Sequence, residues 1–157
     1  MSEHHLAQLN IAVLRAPLDS AMMSEFMMLL DPVNALADRA SGFVWRHRPL
    51  DAGVAMCRRS GADELILNLS VWEDIQSLRA FTYSGVHLRV MRRRKAWFKR
   101  ISDVSVVLWW IPATHRPTID GALERLDCIR RDGPTSQAFS MKCDFPPPVI
   151  PSITETR

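Results

Sequence analysis

From Glu64 to Phe98 the chain reads ELILNLSVWEDIQSLRAFTYSGVHLRVMRRRKAWF, and within this stretch the apolar period changes from that of a strand to that of a helix. Leu65, Leu67, Leu69 and Val71 alternate with Ile66, Asn68, Ser70 and Trp72, so one side of the strand is purely aliphatic and the other mixed. Past Trp72-Glu73-Asp74, the residues Ile75, Leu78 and Phe81 recur at helical spacing. Ser84-Gly85 interrupts them, and a second helix is expected from Val86 to about Arg100. A strand that feeds a helix through so short a turn belongs to a mixed α and β domain.

The rest of the chain repeats that alternation. Leu6 to Leu14 reads as a first strand, with polar Gln8 and Asn10 two residues apart. Asp19 or Ser20 caps a helix carrying Met23, Phe26, Met27 and Leu30 on one face; Asp31-Pro32 restarts it, and Ser41-Gly42 stops it. Phe43 to Arg48 reads as a second strand, Pro49 to Asp63 as a loop, and Val104 to Ile111 as a fourth strand. Thr118 caps a last helix with Ile119, Leu123, Leu126 and Ile129 inward, ended by Gly133-Pro134. A single domain is expected over residues 1–145, followed by a proline-rich arm over 146–157.

Strand, helix, strand, strand, helix, strand is the order of the ferredoxin-like split βαβ arrangement. The expected fold class is therefore α+β, with a four-stranded antiparallel sheet. The first and third strands are central neighbours in that topology, which puts Asn10 and Asn68 on one face. The aliphatic side should meet the helices. Left to solvent, the mixed side would expose Trp72 and one of Trp109 or Trp110, so a homodimer that closes the two sheets into an α/β barrel is expected.

Composition narrows the function classes. A chain of 157 residues with 47% hydrophobic and 24% charged residues can bury a core unaided, and it carries no apolar run of membrane-spanning length. The amino-terminal MSEHHLAQLN shows no basic leader before an apolar core, so a cytoplasmic location is expected. Three cysteines without C-x-x-C spacing argue against a disulfide framework, and scattered histidines against a metal site. A net charge of +3 without an aromatic-interleaved basic patch argues against nucleic acid as a partner. Phosphate-binding glycine loops and the serine-hydrolase G-x-S-x-G motif are missing.

The segments LAQLNIAVLRAPLD, DPVNALADRASGFVWR, LNLSVWEDIQSLRAF, YSGVHLRVMRRRKAWF and VLWWIPATHRPT resemble the bacterial domain-of-unknown-function family 3291, over about Leu6 to Phe145. That family is similar in fold to the dimeric α/β-barrel superfamily of antibiotic-biosynthesis monooxygenases and haem-degrading enzymes. Trp72, Asp74, Ser84 and His87 fit the W-x-D-x-x-x-hydrophobic-x-x-x-x-x-S-x-x-H pattern seen there. The resemblance implies oxygenases, isomerases, cyclases and non-catalytic members alike.

On a helical projection of the segment after Ser84-Gly85, Val86, Val90, Met91, Trp97 and Phe98 form an apolar arc that contains His87 and Arg94, with Arg89, Arg92, Lys95, Lys99 and Arg100 opposite. A histidine titrates near working pH, and a neighbouring guanidinium can hold an enolate, phenolate or carboxylate. A hydrogen-bonded core histidine, and an arginine paired with Glu73 or Asp74, would look the same. Tyr83 can donate its hydroxyl to a bound oxygen. Asn10 and Asn68 need partners, whether a ligand, water or each other, and Trp45, Trp72 and Trp109 can wall a planar ligand or simply fill the core. The expected site is His87, Tyr83 and Arg94 for chemistry, with Asn10, Asn68, Trp45, Trp72 and Trp109 for binding. The expected activity is cofactor-independent oxygenation, or acid–base isomerisation or cyclisation, of a small planar or aromatic molecule. The alternative is a non-catalytic dimer that binds a small molecule, or haem through His87.

Overall fold

The alternating amino-terminal segment forms β1 (His4–Leu14), followed by a 3-10 turn at Ala21–Met23 and helix α1 (Ser24–Asp38). The computed structural model describes residues 2–49, 55–58 and 64–149. Next come β2 (Phe43–Arg46), β3 (Ala55–Arg58), β4 (Glu64–Trp72), α2 (Ile75–Thr82), α3 (Gly85–Arg92) and α4 (Arg94–Trp97). The two-residue β5 (Phe98–Lys99), β6 (Val106–Pro112) and α5 (Ile119–Asp132) complete the order. Local chemistry sets several boundaries. The Asp74 carboxylate accepts from the Ser77 N–H at the start of α2, and Thr118 caps α5 through the Gly121 N–H. Ser20 makes no such capping bond, and Pro32 lies inside a continuous α1 rather than at a restart.

The sheet runs β2–β4–β1–β6 with every pairing antiparallel, which is the split βαβ order. The fold is ferredoxin-like α+β. Six strands stand where four were expected. β3 occupies part of the segment read as a loop: Ala55 to Arg58 pair with Leu67 to Glu64 along β4. Glycine and serine at Gly53, Ser60 and Gly61 hide so short a strand from a local reading; residues 50–54 and 59–63 of the expected loop lie outside the described residues. The expected helix from Val86 to Arg100 is likewise divided. Arg93 separates α3 from α4, and Phe98 turns extended to pair with Leu14 while the Trp97 carbonyl accepts from the Arg15 N–H at 2.9 Å. Pairing with β1 outweighs continuation of the helix.

Gly42 joins α1 to β2 at a φ of 80°, and a Cβ there would meet Ser77 Oγ at 2.0 Å. Only glycine lets this turn pack against α2. Just beyond it the register between β2 and β4 shifts between Phe43 and Trp45. Phe43 consequently packs edge-on to Trp72, at 5.4 Å between ring centres, while Trp45 joins the opposite side of the sheet.

The aliphatic face meets a helix as expected, but that helix is α5, and the mixed face is covered as well. The aliphatic residues Leu65, Leu67, Leu69 and Val71 pack with Leu9, Ile11, Val107 and Trp109 beneath Ala122, Leu126 and Ile129 of α5. The connecting helices cover the mixed face instead. Leu6, Trp72 and Leu108 meet Ile75 and Leu78 of α2, and Leu14 and Ile66 meet Phe26, Leu30 and Trp97. Both faces carry enough apolar residues to accept a helix, so the alternation alone does not choose between them. With α5 on one face and α1 to α4 on the other, the exposed mixed face that called for a barrel-closing partner is absent, and Trp72 is 2% exposed. Residues after α5 return along β6, where Phe139 exchanges backbone bonds with Leu108 and Trp110 Nε1–H donates to the Phe145 carbonyl. The expected proline-rich arm is described as far as Val149; residues 150–157 lie outside the described residues.

Candidate functional site

The mixed face and the helices above it do not close completely. A chamber of about 170 Å³ lies between Asn10, Ala12, Ile66 and Asn68 of the sheet and Phe26, Leu30, His87, Val90, Met91 and Arg94 of α1, α3 and α4. A neighbouring chamber of about 350 Å³ runs from Gln8, Ser70 and Trp72 to Phe81, Tyr83 and Met141. Asn10, Asn34, Arg46, Asn68, His87 and Met91 border both, so they form the waist of one cavity. The larger chamber alone reaches the lower end of the usual small-molecule range, about 300–1,000 Å³.

Asn10 and Asn68 face each other directly in the β1–β4 register. Asn68 is exposed although its neighbours in β4, Leu67 and Leu69, are buried, because its side of the strand opens on the cavity. Asn34, one turn beyond Leu30 on α1, adds a third amide to the waist. None of the three makes a side-chain hydrogen bond with another described residue. Two positions along the same strands the polar side chains bond to one another: Trp72 Nε1–H donates to Ser70 Oγ at 3.1 Å, and Ser70 Oγ–H donates to Gln8 Oε1 at 2.8 Å.

His87 sits in the first turn of α3. Its Nδ1 lies 2.9 Å from the Thr82 carbonyl, one of those a helix end leaves without an intrahelical partner. A carbonyl only accepts, so Nδ1 carries the proton and Nε2 is the acceptor of the neutral ring. Burial pushes the His87 pKa below its ordinary value of 6.5, against the opposing effect of the Thr82 bond. The ring also rests on Phe81, 5.1 Å away, which stacks on Trp72 at 5.3 Å. This makes a continuous aromatic wall along the larger chamber.

Charge around the cavity is of one sign. Arg46, turned to this face by the register shift in β2, pairs with Asp38 at 2.7 Å, and Arg48 reaches the same carboxylate at 3.3 Å. The Arg46 hydrogen bond leads in holding the Asp38 carboxyl below its usual range, with Arg48 and Arg39 adding to it. Arg94 and His47 border the smaller chamber and Lys142 the larger one. No aspartate or glutamate lines either chamber among the described residues.

Of the residues expected from sequence, His87, Asn10 and Asn68 meet at the waist, Arg94 borders the smaller chamber, and Trp72 and Tyr83 border the larger. Tyr83 is 63% exposed at the C-terminal end of α2. Trp45 and Trp109 are not brought to the cavity. Both point to the face under α5, where Trp109 is buried in the core and Trp45 carries Arg116 over its ring at 5.6 Å. Arg94 makes no ion pair with Glu73 or Asp74. Sequence reasoning missed Asn34, Arg46, His47 and Lys142. Asn34 follows Phe26 and Leu30 at helical spacing and was open to discovery on that ground; Arg46 depends on a register shift that no local pattern announces. Among the described residues, no group of three or more His, Cys, Asp or Glu side chains is arranged to hold a metal ion, and no helix is long and apolar enough to cross a membrane.

Residues 5–155 match the family described as Domain of unknown function (DUF3291). The chain belongs to the DUF3291 family. Among solved structures, it is similar to SnoaB, a cofactor-independent oxygenase from Streptomyces nogalater, at 17% identity over 75% of this chain and 98% of that one, with a TM-score of 0.45. PA3566 from Pseudomonas aeruginosa matches at 15% identity over 73% and 98% of the two chains, TM-score 0.47. A dimeric protein of unknown function and ferredoxin-like fold from Bacteroides fragilis matches at 10% identity over 69% and 95%, TM-score 0.47. At these levels the likenesses transfer neither substrate nor reaction. Comparison with curated proteins gives no match. For this DUF3291 chain, the chemistry has to be read from the cavity.

Proposed function

We propose that the chain is an enzyme that removes a proton from a small planar or aromatic substrate without a bound cofactor, with His87 as the base. The observation that carries this reading is a histidine held neutral, its Nδ1–H committed to the Thr82 carbonyl, on the same cavity waist as three amides that lack side-chain partners among the described residues. Nε2 takes the proton from a C–H or O–H next to a carbonyl, and the electron pair passes to the carbonyl oxygen. The amide N–H groups of Asn10, Asn34 and Asn68 supply the donors that an oxyanion needs. The Trp72–Phe81–His87 wall supports a planar ring, Tyr83 donates at the rim of the larger chamber, and Arg94 orients the substrate from the smaller one. The resulting anion either takes the proton back from His87 Nε2 at a second position, attacks an electrophile in the same molecule, or reacts with O₂. Isomerisation, cyclisation and oxygenation thus share one first step.

A homodimer belongs to the same proposal, supported by the exposed apolar side chains Met22 in the 3-10 turn before α1, Met28 within α1 and Leu36 near its end. Native mass spectrometry of freshly purified protein, followed by denaturation to release what is bound, tests both parts. Dimer mass with a stoichiometric organic molecule is the expected result, and a clean monomer removes the dimer. Deuterium uptake from D₂O into the released molecule is then compared between wild type and His87→Ala. Uptake should fall at least about 100-fold with the fold intact by circular dichroism, and unchanged uptake ends the assignment of His87 as base. A Soret band on the purified protein would instead favour a haem carrier, in which the Thr82 bond orients His87 as an axial ligand.

A further inference from the structure

We propose that the molecule this cavity accepts is an organic anion, with its acidic group at Arg94 in the smaller chamber and its planar body across the waist; this rests on the small-molecule reading above. The whole chain is nearly balanced, 20 Lys and Arg against 17 Asp and Glu, yet the described lining of the two chambers is cationic only, with Arg46, Arg94 and Lys142. Asp38, the carboxylate paired with Arg46, is not part of either lining and serves two guanidiniums at once, so it offsets less than the charge set against it. A cleft of one sign with low-dielectric walls concentrates its field on whatever enters.

The rest of the lining selects among anions. Phe26, Leu30, Val90 and Trp97 surround the smaller chamber, so a small hydrated ion would lose water there and gain little, whereas an aromatic acid buries its body and keeps its charge at Arg94 beside the opening. Arg94 is exposed and makes no ion pair among the described residues, whereas its neighbour Arg93 is paired with Glu25 and packed over Trp97. Arg92 is likewise unpaired among the described residues, and of this run only Arg94 borders the cavity.

Fluorescence titration of the full chain with 8-anilinonaphthalene-1-sulfonate and with N-phenyl-1-naphthylamine, which has the same rings and no charge, separates the two levels of the reading. Wild type should bind the sulfonate about tenfold more tightly than the amine. Arg94→Gln should remove most of that preference and leave amine binding unchanged, and added salt should weaken only the sulfonate. Arg92→Gln removes the same charge from a residue that lines neither chamber and should have little effect. Equal binding of both probes, or equal losses in Arg94→Gln and Arg92→Gln, overturns the anion and leaves the pocket standing. Failure of both probes to bind overturns the pocket reading and the inference together.

Discussion

The two faces of the central sheet are built on the same strands and serve opposite ends. Beneath α5, Leu9, Leu69 and Leu126 are 0%, 2% and 0% exposed and belong to one apolar cluster. One residue away in β4, Asn68 is exposed, because α1 and α3 stand off the sheet around a line of amides. The aliphatic face has nothing to do except exclude water, so packing there approaches the density of a core. The mixed face gives up some of that density and keeps polar groups without partners among the described residues, the usual mark of a place where a ligand completes the structure.

The comparison can be broken most directly at Leu126. Leu126→Ala should cost about 2–5 kcal/mol in urea unfolding, because the face under α5 has no slack with which to fill the gap; a cost below about 1 kcal/mol would mean that α5 is not an integral cover. The mixed face should divide within a single strand. Ser70→Ala strands both Trp72 Nε1–H and Gln8 Oε1, and a loss of about 1–3 kcal/mol is expected. Asn68→Ala removes an amide without a partner among the described residues and should change stability by no more than about 0.5 kcal/mol while weakening ligand binding. Equal costs at the two positions would show that Asn68 is structural after all.

The smallest effect lies in acid. Burial favours the neutral His87 ring, so the unfolded chain takes up that proton first as pH falls through the region below 6.5. The contribution is complete above the ring's ordinary value and is lost as pH drops through the lower folded value. Unfolding of wild type and His87→Gln at a series of pH values should give a steeper acid loss in wild type; parallel curves would mean that His87 is not held neutral by the fold.

Much of the architecture was legible in the chain because it depends on neighbours in sequence. Alternation in β1 and β4, together with the split βαβ order, was enough to put Asn10 and Asn68 on one face, while the register that sets them directly opposite came from the structure. The turn at Trp72-Glu73-Asp74 marked the start of α2, and Thr118 announced α5 through its side-chain cap. The arc that placed His87, Val90, Met91, Arg94 and Trp97 together survives the break at Arg93, since α4 resumes after a single residue. Asp19 and Ser20 gave a false signal, as Ser20 makes no cap.

What the sequence by itself determined is therefore the set of faces: which residues share a side of each strand and helix, and in what order the elements come. Periods of 2 and 3.6 are local properties of the backbone and need no partner. Which face each helix covers was decided only in three dimensions, by α5 taking the aliphatic side and the crossovers taking the mixed one. The same is true of β3, of the turn of Phe98 into β5, and of the register shift that sends Arg46 to the cavity and Trp45 away from it. Each of these depends on contacts between residues distant in the chain, where competing packings are settled by the total surface buried rather than by any pattern a short window can contain.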